Sequence, residues 1–184
     1  TVTYSLLEKV FGDYCFKFPR ELFVIGQGNS SSSARPELSR VRGRRLALVQ
    51  EIAKTETLNI GILKELTGND SFFARGLYEK GVEIKPMFTL MMQCNEPPKV
   101  PGHDEATWNR IRVLDYESKF VATKDLNKYP IPDSEEEQFK LKRFKADPSI
   151  IKKLPELASV LLWLLFERYK EYKKRGLIEP QEVL

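Results

Sequence analysis

At 184 residues, 41% of them hydrophobic, the chain has the size of one domain, with room for an appendage and apolar content for a real core. The net charge of +4 fits an anionic partner without requiring one, since such charge is mostly a solvated surface. Val160–Phe166, the longest apolar run, is far below the ~20 residues of a membrane span, and no signal peptide is visible. Cys15 and Cys94 are far apart and out of metal-ligand spacing, so both read as buried free thiols in a reducing compartment. His103 has no Cys or His partner at ligand spacing. A chain opening on Thr1 instead of Met reads as a fragment or a processed product.

Thr3–Phe11 predicts a helix, with Leu6, Leu7, Val10 and Phe11 on one face and Gly12 as its stop. Tyr14–Phe18 predicts a strand ended by Pro19. Gly26–Ala34, with four serines, predicts a surface loop. Pro36–Arg42 predicts a short basic helix ended by Gly43. Arg45–Gln50 and Phe88–Gln93 are short apolar runs, the pattern of strands buried on both faces of a parallel sheet. Between them, Thr57–Thr67 predicts a helix lined by Leu58, Ile62, Leu63 and Leu66 and capped by Gly68. Ser71–Leu77 and Gly81–Lys85 then flank a polar tip, which predicts a β-hairpin carrying Arg75 and Lys80.

After a proline-rich loop, Arg110–Leu114 predicts one more strand. Residues 116–146 are charged and weakly patterned, with an exposed helix start at Ser134. Asp147-Pro148 predicts an N-cap and a first-turn proline. Leu154–Arg175 predicts a long helix closed by Gly176, apolar nearly all round from Leu157 to Phe166, a half that must dock on something. Its basic end suits a helix C-terminus. Helices alternating with buried strands make an α/β sheet domain, followed by a small helical C-terminal part.

Ligands of such sheets collect outside the carboxyl ends of the strands. One strand supplies Glu51 there and the other Asn95. A carboxylate and an amide together can orient a metal ion or an attacking water. Taken singly each has a plain reading: a strand-end turn residue for Asn95, a solvated face for Arg110 and Arg112, an exposed hairpin charge for Lys80.

In chain order, Leu46-Ala-Leu-Val-Gln-Glu, Leu58-Asn-Ile-Gly-Ile-Leu-Lys-Glu-Leu-Thr-Gly-Asn-Asp, Ala74-Arg-Gly-Leu-Tyr, Gln93-Cys-Asn-Glu-Pro-Pro and Thr107-Trp-Asn-Arg-Ile-Arg-Val form a series. It resembles the superfamily 3 helicases, most of all the poxvirus-type helicase-primase ATPase of large DNA viruses. Phage and plasmid primase-helicases share the pattern more loosely. Leu154-Pro-Glu-Leu-Ala and Arg168-Tyr-Lys-Glu-Tyr match the viral branch.

The resemblance implies an AAA+-like P-loop ATPase core with a parallel sheet and an inserted β-hairpin over residues 1–120, and a C-terminal helical region over 121–184. It implies a hexameric ring around single-stranded DNA, ATP and Mg2+ between subunits, a primase domain upstream, no membrane, and work at a cytoplasmic viral replication site. Glu51 matches the Walker B carboxylate that works with magnesium and polarises water. Gln50 stands where many relatives have a first acid. Asn95 matches the sensor residue near the terminal phosphate. Arg110 matches the arginine finger, with Arg112 as second candidate, a group that can be worth ~10³–10⁵ in rate. The hairpin matches the pore loop, in which Arg75 and Lys80 bind phosphates without reading sequence.

One element is absent. No Gly-Lys-Ser/Thr phosphate loop occurs in the chain. In the family the helix after that loop runs into Gly-Asp-Tyr, as Gly12-Asp-Tyr does here, which puts Thr1 on the motif's hydroxyl residue and makes it the magnesium contact. The glycines and lysine are then expected just before residue 1. An intein junction and an arbitrary boundary both account for such a start. The isolated chain is expected to lack ATPase activity. A DNA-binding or assembly piece is the alternative reading.

Overall fold

The computed structural model describes residues 2–26, 36–76, 78–102 and 105–178. Thr1, His103 and most of the Gly26–Ala34 loop lie outside them. The described residues fall into two compact units, one of residues 11–111, the other of residues 2–10 with 112–178.

The first unit is built on a parallel sheet. β1 (Cys15–Lys17), β2 (Leu46–Gln50) and β5 (Thr89–Gln93) lie in the order β1-β2-β5. β2 is central, and Leu46, Ala47, Leu48 and Val49 are all buried. Its uninterrupted apolar run is what a strand covered on both faces requires. β5 departs from that expectation: its residues are half-buried or exposed. It pairs only with β2 among the described residues, and an edge strand has less to cover it. Register is fixed from Leu46 opposite Thr89 to Gln50 opposite Gln93.

The core gathers around the sheet. Phe18 meets the rings of Phe16, Phe23 and Phe88 edge-on at 5.0, 5.5 and 5.9 Å. Leu38, from the short helix α2 (Pro36–Ser39), is buried beside them. This helix ends sooner than Arg42, in a turn that reaches Gly43. The helix α3 (Ile60–Thr67) buries Ile62, Leu63 and Leu66. It starts later than Thr57 because Thr57 and Leu58 are extended, bridged to Lys99 and Val24. Asn59 is the N-cap, accepting the Ile62 N–H at 3.3 Å. Between α3 and β5 the hairpin forms with shorter strands than predicted, β3 (Phe72–Ala74) antiparallel to β4 (Val82–Ile84), and the left-handed residue of its connection is Tyr78 at φ +61°, not Gly81. Phe72, Ala74 and Ile84 face the core; Phe73 faces water.

The Arg110–Leu114 strand does not form. A short helix, α4 (Glu105–Trp108), stands before it, and Asn109, Arg110 and Ile111 donate their N–H groups back into its last turn. Their backbone donors are spent on that turn. Residues 111–118 then run without helix or strand.

The second unit contains α1 (Val2–Phe11, its last residue crossing into the first unit), which ends at Gly12 with φ +50°, as predicted. Tyr4 is its buried residue. Residues 116–146 hold more order than their charge suggests: β6 (Lys119–Val121) pairs in parallel with β7 (Arg143–Lys145), and α5 (Glu135–Leu141) precedes β7. Ser134 caps α5, accepting the Glu137 N–H at 3.1 Å. The long helix α6 (Ile150–Arg175) starts at Ser149, not at Asp147. Asp147 instead accepts from the Ser149 N–H at 2.8 Å and pairs with Lys153 at 2.6 Å. Gly176 closes the helix at φ +74°. The expected docking of its apolar half is not seen. Val160, Leu162, Trp163, Leu164, Leu165 and Phe166 are all exposed, and Leu154 is the residue of α6 that is buried.

Candidate functional site

The carboxyl ends of β2 and β5 carry the polar residues. Gln50 and Gln93 are register partners, on strands about 4.8 Å apart. Glu51 follows directly, Asn95 two residues past Gln93, and both are exposed. The Glu51 N–H donates to the Gln93 carbonyl at 3.0 Å, which extends the pairing one step beyond the sheet. Gln50, Glu51 and Asn95 therefore stand together at adjacent strand ends.

Glu51 has φ +62°, a left-handed conformation that costs a residue with a Cβ about 1–2 kcal/mol. Its backbone is held at both ends. The N–H is in the sheet bond, and the carbonyl accepts Nη1 of Arg20 at 3.2 Å. Among the described residues no cation pairs with its carboxylate. Strain at an exposed carboxylate on a strand end marks a candidate catalytic position.

Arg20 is the residue that sequence reasoning missed. It opens a tight turn whose Leu22 and Phe23 are buried, and that anchoring presents its guanidinium. Besides Glu51 it approaches Glu56 at 3.6 Å, and Glu56 in turn accepts the Ala53 N–H at 2.7 Å. The loop after β2 is thereby braced. Lys54, also in that loop, pairs with Glu96, next to Asn95, and so ties the loops after β2 and β5 together. Both partners are exposed, and such pairs contribute about 0–1 kcal/mol. No spacing rule links residues 20 and 51, so nothing in the sequence signals the Arg20 contact.

Cys94, between Gln93 and Asn95, is half-buried like Cys15, not fully buried as the sequence suggests. Burial raises its thiol above the usual range and keeps it protonated.

The other candidates lie elsewhere. Arg110 is exposed, its Nη1 donating to the Ala106 carbonyl one turn back. Arg112 belongs to the second unit, so the strand face proposed to join the two arginines does not exist. Exposure still alternates here: Ile111 and Val113 are half-buried, Arg110 and Arg112 exposed. Arg75 and Lys80 are exposed in the segment joining β3 to β4, with Tyr78 almost fully exposed between them. Thr1 lies outside the described residues.

A single exposed carboxylate at a strand end suits magnesium, which takes one or two carboxylates and completes its shell with phosphate oxygens and water. Among the described residues no cluster of three His, Cys, Asp or Glu could hold a metal by itself. The donor set fits an ion that arrives with a phosphate ligand. Among the described residues no helix is long and apolar enough to cross a membrane.

A parallel sheet with helices, polar groups at its strand ends, an inserted hairpin and a long C-terminal helix make this an α/β fold of the P-loop ATPase kind. No family model matches the chain. It is similar to proteins named "Putative helicase" from three viruses. Identity is 41% over 169 residues with that of Frog virus 3 (isolate Goorha), 36% over 184 with that of Acanthamoeba polyphaga mimivirus, and 39% over 185 with that of Invertebrate iridescent virus 6. The alignments cover 90%, 97% and 95% of this chain but 16%, 18% and 18% of those proteins, so the chain spans about a sixth of their length.

Proposed function

We propose that this chain is the nucleotide-hydrolysing part of a DNA helicase of the superfamily 3 type. The observation that carries the reading is that Glu51 and Asn95 follow the carboxyl ends of adjacent parallel strands, where Gln50 and Gln93 are partners and the Glu51 N–H bonds the Gln93 carbonyl. The names of the viral relatives support it.

In this reading Mg2+ supplies charge neutralisation at the phosphates of ATP. The Glu51 carboxylate holds the ion and accepts a hydrogen bond from the attacking water, while the Arg20 bond to its carbonyl keeps it in place. Asn95 orients the water toward the terminal phosphate. Gln50 provides an uncharged hydrogen-bonding side chain where a second acid is common, so Glu51 is the sole carboxylate of the pair. Thr1 contributes a hydroxyl to the ion. Arg110 reaches the ATP of a neighbouring subunit, with Arg112 as substitute, and the subunits form a hexameric ring. Turning outward would cost Arg110 only its own-turn hydrogen bond. Arg75 and Lys80 hold the phosphates of single-stranded DNA in the pore.

The test is ATPase activity of the protein carrying this segment together with a Gly-Lys phosphate loop, with and without single-stranded DNA. Glu51→Gln and Arg110→Ala are each expected to lose at least ~10³ in turnover, and mixing them to restore part of it. Activity untouched by Glu51→Gln sinks the proposal. Turnover by the 184 residues alone would overturn the role of the phosphate loop. DNA binding without turnover would favour an assembly piece.

A further inference from the structure

Two lysines of the second unit converge on one tyrosine. Lys119, at the start of β6, holds its ammonium 3.0 Å from the centroid of the Tyr129 ring, and Lys128 holds its own at 5.3 Å. Both reach the phenol as well, and their hydrogen bonds, first from Lys119 and then from Lys128, hold it below its usual range. The backbones of all three are fixed. The Lys119 N–H donates to the Lys142 carbonyl at 2.7 Å, and the N–H groups of Lys128 and Tyr129 donate to the Asp125 carbonyl at 3.0 and 2.9 Å. Arg143 adds a third cation. It is the register partner of Lys119, so it shares that face of the β6–β7 pair, on a strand about 4.8 Å away. Phe120 and Phe144 alternate with them and take the opposite face.

One ammonium over an aromatic ring is an ordinary cation–π contact. A second ammonium on the same ring and a guanidinium on the neighbouring strand are not, because like charges repel. The acids nearby do not answer them. Glu117 is taken by Lys142. Glu135–Glu137 belong to α5, which packs through Phe139 against Phe144, on the phenylalanine face. Asp125 offers its carbonyl to this corner, but its carboxylate pairs with neither lysine. Among the described residues Lys119, Lys128 and Arg143 thus have no acidic partner.

Cations gathered without an acid suit an oxyanion. Lysine meets a phosphate as a point charge, arginine as a two-pronged fork, and a phenol donates its O–H. From this arrangement we infer that Lys119, Lys128, Tyr129 and Arg143 form a binding site for one phosphate group. The lysines neutralise its charge, the Tyr129 hydroxyl donates to one oxygen, and Arg143 spans two others. The site lies in the unit that holds neither Glu51 nor Asn95, so it stands apart from the ATPase reading and needs no turnover. Its chemistry is the same for a free polyphosphate and for a nucleic-acid backbone, and the size of the ligand tells the two apart.

The experiment follows the ring signals of carbon-13-labelled tyrosine in the full chain by NMR, with Tyr129 assigned by the signal lost in Tyr129→Phe. Inorganic pyrophosphate is titrated at constant ionic strength, and a short oligothymidylate in a second series. The Tyr129 signal is expected to move and saturate. Lys119→Gln and Lys128→Gln are each expected to weaken the affinity about 10-fold, the worth of one charge-assisted hydrogen bond. Lys119→Arg keeps the charge and is expected to retain most of the affinity, whereas Arg143→Lys loses the fork and is expected to weaken it. Lys173→Gln, at the basic end of α6, is expected to change nothing. Movement with pyrophosphate assigns the site to a free phosphate compound, and movement with the strand alone assigns it to a nucleic-acid backbone. A Tyr129 signal unmoved by either overturns the site. So does equal movement in chloride at the same ionic strength. So does a Lys173→Gln effect as large as that of Lys119→Gln, which would leave only diffuse attraction, or a Lys119→Arg variant as weak as Lys119→Gln, which would make the role of Lys119 structural.

Discussion

Replacing Glu51 tests the strain at the strand end directly. The residue sits at φ +62°, where a Cβ costs about 1–2 kcal/mol. Glycine removes that cost but loses about 0.5–1 kcal/mol through the greater freedom of the unfolded chain. The net expectation is that Glu51→Gly is more stable than Glu51→Ala by roughly 0.5–1 kcal/mol. The alanine variant keeps the strain and loses an exposed carboxylate without an ion pair among the described residues, so it should lie within about 0.5 kcal/mol of wild type. Urea unfolding followed at Trp108, in a Trp163→Phe background, reports on the unit that contains the sheet. With a slope of about 1–3 kcal/mol per molar, the Gly midpoint should stand about 0.2–1 M above the Ala midpoint. At an ordinary strand position the order would be reversed. A Gly variant no more stable than Ala would show that Glu51 is unstrained in solution. Both variants should lose ATPase activity equally, so that stability and function pull in opposite directions at one residue.

Leu48→Ala, in a fully buried position of the central strand, should cost about 2–5 kcal/mol, read from the same urea curves. Asn59→Ala removes the cap of α3 and should cost about 0.5–2 kcal/mol, with Asn59→Asp retaining most of it. Asp147 is held at about 2, below the ordinary carboxyl value of 3.8, first by its hydrogen bond from Lys153 and then by those from Ser149. A lowered carboxyl stabilises the fold above its unfolded value, and that contribution is lost as pH falls through the folded one. Helical circular dichroism should therefore show wild-type stability declining between pH 3.8 and about 2 by more than Asp147→Asn, and parallel declines would refute the pairing.

The elements visible in the sequence were those whose pattern is local. β2 announces itself by four consecutive apolar residues, and the hairpin by its polar tip between two strand-like runs. β6 and β7 are three residues each, set among charges, and their pairing joins residues 119 and 143, a separation no periodicity reports. At Arg110–Leu114 the alternation predicts which side chains are half-buried but not the strand, because a strand also needs a neighbour with free backbone groups. The same limit governs the candidate site. Glu51 and Asn95 could be found because both end apolar runs. The left-handed backbone of Glu51 and its anchor on Arg20 depend on a turn far away in the chain.

The division into units also sets an order of events during synthesis. Residues 11–111 are contiguous, so that unit can close on itself as soon as its last strand is made. The other unit draws α1 from one end of the segment and everything after residue 111 from the other. The contacts that join α1 to the residues beyond 111 carry a sequence separation of about a hundred residues, the kind that slows folding. Within this segment α1 is made before the sheet but cannot join the rest of its unit until the sheet has been made.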